Sequence, residues 1–252
     1  MKIPFPKKIV SHEVAEQELA ILERAYPQAV TALHYTNPFE LLVSVILSAQ
    51  TTDTRVNLTT PTLFKKYPTP QALAKAKVGD VELIIKSTGF FRMKAKNIVS
   101  AAQDLVDKFG GVVPNDRDAL QSLAGVGRKT ASVVMSVAFE DAAFAVDTHV
   151  FRVSHRLGLT LATTPLGVEE DVTALVPREK WRFAHHWLIL HGREICKAPT
   201  PLCGQCPVNK ICPTPPIIAK LTATTAAGRI RRGAKAAATR RPARPSSAKK
   251  KR

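Results

Sequence analysis

All four cysteines of this 252-residue chain fall between Cys196 and Cys212. Their spacing is Cys196-x6-Cys203-x2-Cys206-x5-Cys212. Thiols gathered in one short loop, with none elsewhere, point to a metal site rather than a disulfide framework. Zinc usually takes two C-x2-C pairs, and only one is present here. An iron–sulfur cluster needs four thiolates on a wrapping loop and fits at least as well. Spacing alone leaves both open.

The rest of the chain reads as helix. Turn signals recur at short intervals and strand-like alternation is nearly absent, which predicts an all-α fold. The clearest helix spans 38–50. Asn37 is its N-cap, Pro38 its first residue, and Glu40 completes a capping box. Phe39, Leu41, Leu42, Val43, Val45, Ile46 and Leu47 surround most of the cylinder, as expected of a buried central helix. Other helices are expected at 13–26, 70–76, 78–87, 92–109, 116–123, 128–140, 148–157, 167–176 and 179–191. One more starts after Thr52 and should break or kink at Pro61.

Charge separates the chain into two parts. The formal net charge is +17, and residues 213–252 hold twelve Lys/Arg and no acid, leaving about +5 for 1–212. A basic tail predicts a polyanionic partner, nucleic acid ahead of a membrane surface. The tail has few apolar residues and should be disordered. No apolar run approaches the ~20 residues of a membrane span. Lys2, Lys7 and Lys8 precede no apolar stretch, so no secretory signal is expected and an intracellular, reducing compartment is.

Two segments carry candidate chemistry. In Leu123-Ala-Gly-Val-Gly-Arg-Lys-Thr-Ala131, Gly125 and Gly127 permit a tight hairpin between helices. The free N–H groups that open the next helix, at Arg128, Lys129 and Thr130, suit a DNA phosphate. The segment is not a P-loop: the four residues between two glycines are missing. Lys129 is either a solvated lysine or a nucleophilic amine. Asp147 begins Asp147-Thr-His-Val-Phe-Arg152 and should cap the helix that follows. A half-buried carboxylate there could also stabilise a cation or relay a proton. His149 and Arg152 could pack or contact phosphate. His185, His186 and His191 read as satisfied core or surface histidines.

Taken together, the motifs resemble the helix-hairpin-helix DNA glycosylases, specifically the endonuclease III family. The matching segments are Leu47-Ser-Ala-Gln-Thr-Thr-Asp53, 123–131, Val146-Asp-Thr-His-Val-Phe-Arg152, Trp187-Leu-Ile-Leu-His-Gly-Arg193 and the cysteine loop. They run in the family's order across about residues 20–212.

The resemblance implies a six-helix barrel at 31–141 that contains the hairpin. A discontinuous iron–sulfur domain (1–30 and 142–212) and the tail at 213–252 complete the chain, with a DNA-binding cleft between the two domains. It implies one four-iron four-sulfur cluster on Cys196, Cys203, Cys206 and Cys212. It implies a bifunctional glycosylase and abasic-site lyase of base excision repair. The substrate is double-stranded DNA with an oxidised pyrimidine, such as thymine glycol, or an abasic site. Lys129 is then the nucleophile that forms a Schiff base, and Asp147 the essential carboxylate. Gln50 matches an intercalating glutamine, and Phe90 falls where the family often has a leucine wedge, with Phe91 its chemical equal. Gly125, Gly127, Arg128, Thr130, His149 and Lys197 are the further DNA contacts expected. A monomer at the bacterial nucleoid is expected, with no membrane partner. Base excision needs no electrons, so the cluster's expected role is structural.

The chain departs from the pattern in places. Ala124 replaces the usual hairpin proline. Lys197 is the only basic residue between the first two cysteines, so that loop offers phosphate a single cation, and the tail is a candidate to compensate. Three other readings compete: a monofunctional adenine or mismatch glycosylase, a non-catalytic architectural DNA binder, and an electron carrier.

Overall fold

A computed structural model describes residues 3–223 of the chain. Within them every regular element is helical. In chain order these are α1 (His12–Ala25), α2 (Pro38–Ser48), α3 (Asp53–Lys66), α4 (Pro70–Ala74), α5 (Val78–Ile85), α6 (Phe91–Phe109) and α7 (Arg117–Gln121). Then come α8 (Arg128–Ala138), α9 (Thr148–Leu157), α10 (Pro165–Thr173) and α11 (Trp181–Glu194). The all-α expectation holds.

Two hydrophobic cores form. The first runs from Leu33 to Val134 and is built around α2, whose residues 41–47 are all buried. The second draws Leu19 and Leu22 of α1 together with Val150, Leu157, Trp187 and Leu188, and includes Cys196. A helix apolar on nearly every side has no face for solvent, so other helices must surround it. Among the described residues four ion pairs join the part of the chain around the first core to the part around the second: Asp53–Arg193, Glu140–Arg182, Arg128–Glu169 and Arg117–Glu169.

Local details depart from expectation. Asn37 caps α2 by accepting from the N–H of Glu40, but Glu40 Oε2 accepts from Thr36 rather than from Asn37. The box closes one residue earlier because Thr36 offers both its N–H and its hydroxyl. Helix α3 does not break at Pro61; it continues to Lys66. Val56, Thr59, Thr60 and Leu63 are buried along it. That packing offsets the roughly 3 kcal/mol cost of an internal proline. Residues 214–223 are helical rather than disordered. Thr214 is buried and its hydroxyl donates to the carbonyl of Arg156, which docks the start of this helix on α9. The remainder of the expected disordered tail, 224–252, lies outside the described residues.

Candidate active site

Helix α8 begins at a hairpin turn. Gly125 has φ +78, and a Cβ there would meet Asn97 of α6 at 2.8 Å, so both conformation and space require glycine. Gly127 has ordinary extended φ and open space around it. No side chain caps α8, which leaves its first N–H groups to an outside acceptor. Arg128 is not a free cation. Its guanidinium forms a two-pronged pair with Glu169 of α10, at 2.8 and 2.9 Å.

Lys129 is exposed and makes no ion pair among the described residues. It lines a cavity of about 180 Å³ together with Thr130, Ser48, Asp53, Asp147, His186 and Arg193. Asp147 arrives from the opposite core. It is the N-cap of α9, and its Oδ1 accepts the N–H groups of both His149 and Val150 at 2.8 Å. Those two bonds fix the carboxylate's direction. The residues Lys129 and Asp147, from separate helix starts, thus share one cavity.

The walls of the cavity are uncharged imidazoles as well as apolar groups. His185 is fully buried, and burial holds its imidazole well below the usual range; His186 and Lys129 add to that effect. Burial also pushes His186 down to about 4, with Arg193 acting the same way and Asp147 against. His185 is a core residue but not the satisfied histidine expected, since its buried Nε2 has no hydrogen-bond partner among the described residues; both it and His186 line the cavity. Asp53, Arg193 and His186 lay unassigned inside or beside matching motifs. Their convergence involves residues 140 positions apart, which no local pattern reveals.

The expected DNA contacts divide. Gln50 and Phe90 are exposed, and both are non-glycine residues in the left-handed region, at φ 53 and φ 57. Phe90 is 68% exposed, whereas Phe91 packs against the first core. Lys197 is exposed. His149 is half-buried instead, its ring close over Gly192 and its Nδ1 3.2 Å from Arg152 Nη2. Thr130 faces the cavity.

The cysteine loop wraps Arg156, a residue that sequence reasoning passed over. Arg156 is buried on α9 and donates to the carbonyls of Cys196, Lys197 and Ala198 at 2.7–3.2 Å. All four cysteines are free thiols. Burial pushes Cys206 up to about 11 and Cys212 up to about 12, with neighbouring thiols adding to the effect. Thiols so placed ionise when a metal cation supplies the compensating charge. Among the described residues no three His, Cys, Asp or Glu side chains converge closely enough for a single metal ion.

With this geometry in hand, similarity to known proteins is decisive. Residues 43–178 match the HhH-GPD superfamily of base excision DNA repair proteins. Endonuclease III of Synechocystis is 48% identical over 201 residues, which is 79% of this chain and 92% of the relative. The chain belongs to the endonuclease III family. Among solved structures, a trapped endonuclease III–DNA covalent intermediate aligns with a TM-score of 0.79 at 44% identity, covering 82% of this chain and 97% of that one. A thermostable thymine-DNA glycosylase aligns at 0.73 and 25% identity, over 80% of this chain and 96% of its own. Family membership makes the chain a DNA glycosylase and abasic-site lyase of base excision repair. No described helix is long and apolar enough to cross a membrane.

Proposed function

We propose that this enzyme removes oxidised pyrimidines, such as thymine glycol, from duplex DNA and cuts the strand through an imine on Lys129. The observation that carries this reading is the shared cavity of Lys129 and Asp147. A primary amine and a carboxylate, each at a helix start and each from a different core, are the two groups an imine mechanism needs.

The free amine of Lys129 attacks C1′ of the damaged nucleotide. The N-glycosidic bond breaks and its electron pair leaves with the base, which takes up a proton. Asp147 stabilises positive charge developing on the sugar and accepts the proton that the attacking nitrogen sheds. The ring opens as O4′ is protonated, giving a protonated imine between Lys129 and C1′. Loss of a C2′ proton then expels the 3′ phosphate, and hydrolysis of the imine frees Lys129.

DNA is held across the cavity mouth. The uncapped start of α8 suits one phosphate. Gly127 has no internal reason to be glycine, and a Cβ-free position lets a phosphate approach the backbone. Gln50 and Phe90 are placed to enter the duplex where the nucleotide has swung out. Cys196, Cys203, Cys206 and Cys212 would hold a four-iron four-sulfur cluster; the support is their x6, x2, x5 spacing on one loop and membership of the endonuclease III family. When bound, the cluster cross-links four points of the loop that Arg156 organises.

Borohydride trapping on duplexes carrying thymine glycol or an abasic site tests the reading. A covalent adduct with both, absent in Lys129→Ala, is expected. Failure of the unsubstituted protein to trap on either would overturn the imine mechanism in favour of a monofunctional glycosylase.

A further inference from the structure

The two exposed residues placed to enter DNA sit on separate loops, and one buried lysine touches both loops. Lys94 lies in the first turn of α6 and is only 4% exposed. Its backbone N–H donates to the carbonyl of Phe90 at 3.1 Å, the first helical bond after that left-handed residue. Its side chain runs the other way. Nζ donates to the carbonyl of Leu47 at 2.8 Å and to Thr51 Oγ1 at 2.7 Å. Those two acceptors flank Gln50, which is left-handed like Phe90. The loops also touch directly, since a Cβ on Gly89 would lie 3.5 Å from the Gln50 carbonyl.

Lys94 has no carboxylate partner among the described residues. A buried ammonium carries a desolvation cost that an apolar side chain of similar length avoids. Core filling therefore does not explain an amine here. Its hydrogen bonds do: a carbonyl in the last turn of α2, which has no helical partner of its own, and a loop hydroxyl are both satisfied by one group. Two non-glycine residues in the left-handed region are strained, and they persist only where their surroundings dictate the turn.

We infer that Lys94 is a positioning residue that holds Gln50 and Phe90 at a fixed separation, so that both enter the duplex when a nucleotide swings out. The inference rests on the reaction proposed above. Its consequence is specific to duplex DNA. A single strand presents no stack to fill and no partner base to support, so the separation of Gln50 and Phe90 matters little there.

The experiment is single-turnover borohydride trapping on an abasic-site duplex and on the same abasic strand alone. It compares the unsubstituted full chain, Lys94→Met and Thr51→Val. Lys94→Met is expected to lower the ratio of duplex to single-strand rate at least tenfold. Thr51→Val, which removes one acceptor and leaves the amine in place, is expected to lower it in the same direction by a smaller factor. An unchanged ratio in both variants overturns the inference, whether the two rates are unaltered or fall together as a general loss of folded protein would dictate. If Lys94→Met does not fold, Thr51→Val alone decides. Absence of an adduct with the unsubstituted protein on either substrate would overturn the reaction itself, and with it this inference.

Discussion

Arg193 Nη1 lies 2.9 Å from Asp53 Oδ2, joining the last turn of α11 to the first residue of α3 beside the cavity that holds Lys129. The pair spans 140 positions of sequence. Both side chains are partly exposed, so the pair contributes no more than about 1 kcal/mol to stability. Its larger effect is on charge, because Asp53 neutralises a cation at the mouth of the cavity proposed to face DNA. Asp53→Asn should tighten duplex binding at low salt and steepen the salt dependence by about one phosphate contact. Arg193→Met should produce no such gain. Binding isotherms at several salt concentrations measure both, and equal slopes in Asp53→Asn and the unsubstituted protein would rule the effect out.

One substitution separates the helix cap that Asp147 forms from the catalytic duty proposed for it. Asparagine caps helices about as well as aspartate, so Asp147→Asn should keep the bonds to His149 and Val150 and change stability by less than about 1 kcal/mol. It removes the negative charge. Base release should fall by a factor of at least about 100, as expected when charge aimed at the transition state is lost. Thermal unfolding beside single-turnover excision checks this, and a parallel loss of both would mean that the cap alone matters.

His186 makes stability depend on pH. Its imidazole lies at about 4 in the folded protein, against an ordinary value near 6.5. Between these values the unfolded chain binds the proton more tightly. Stability from this group is therefore complete above pH 6.5 and is lost as pH falls toward 4. The span corresponds to about 3 kcal/mol. His186→Gln should weaken this acid sensitivity. Denaturant unfolding at pH 5 and pH 7.5 reads it, and identical pH differences in both proteins would contradict the assignment.

The cysteine loop should fold as a unit with its metal. Cys212→Ser, or a chelator that strips the cluster proposed for this loop, should lower the unfolding midpoint. Amide exchange should quicken first in 196–212 and in α9, which are tied through Arg156, while α2 stays protected. Uniform acceleration across both cores would show that the loop's loss destabilises the whole molecule equally.

Much of this protein is determined locally and was legible from its residues. The side chains of Asn37 and Asp147 cap the helices that follow because a short polar side chain reaches the free N–H groups wherever the chain enters a helix. The burial of α2 follows from apolar residues on every side. The confinement of the cysteines and the hairpin glycines are likewise visible in spacing. What only tertiary structure decided are the outcomes of competition among distant groups. Pro61 stays inside α3 because packing on the first core outweighs its cost. Residues 214–223 form a helix because the buried Thr214 finds the carbonyl of Arg156. Arg128 turns to Glu169, 41 positions away, rather than standing free. His149 packs over Gly192, and Lys94 goes under the Gln50 loop instead of into solvent. Each depends on which partner is nearest in space, and a side chain's nearest partner in the folded chain is set by the packing of whole helices rather than by its neighbours in sequence.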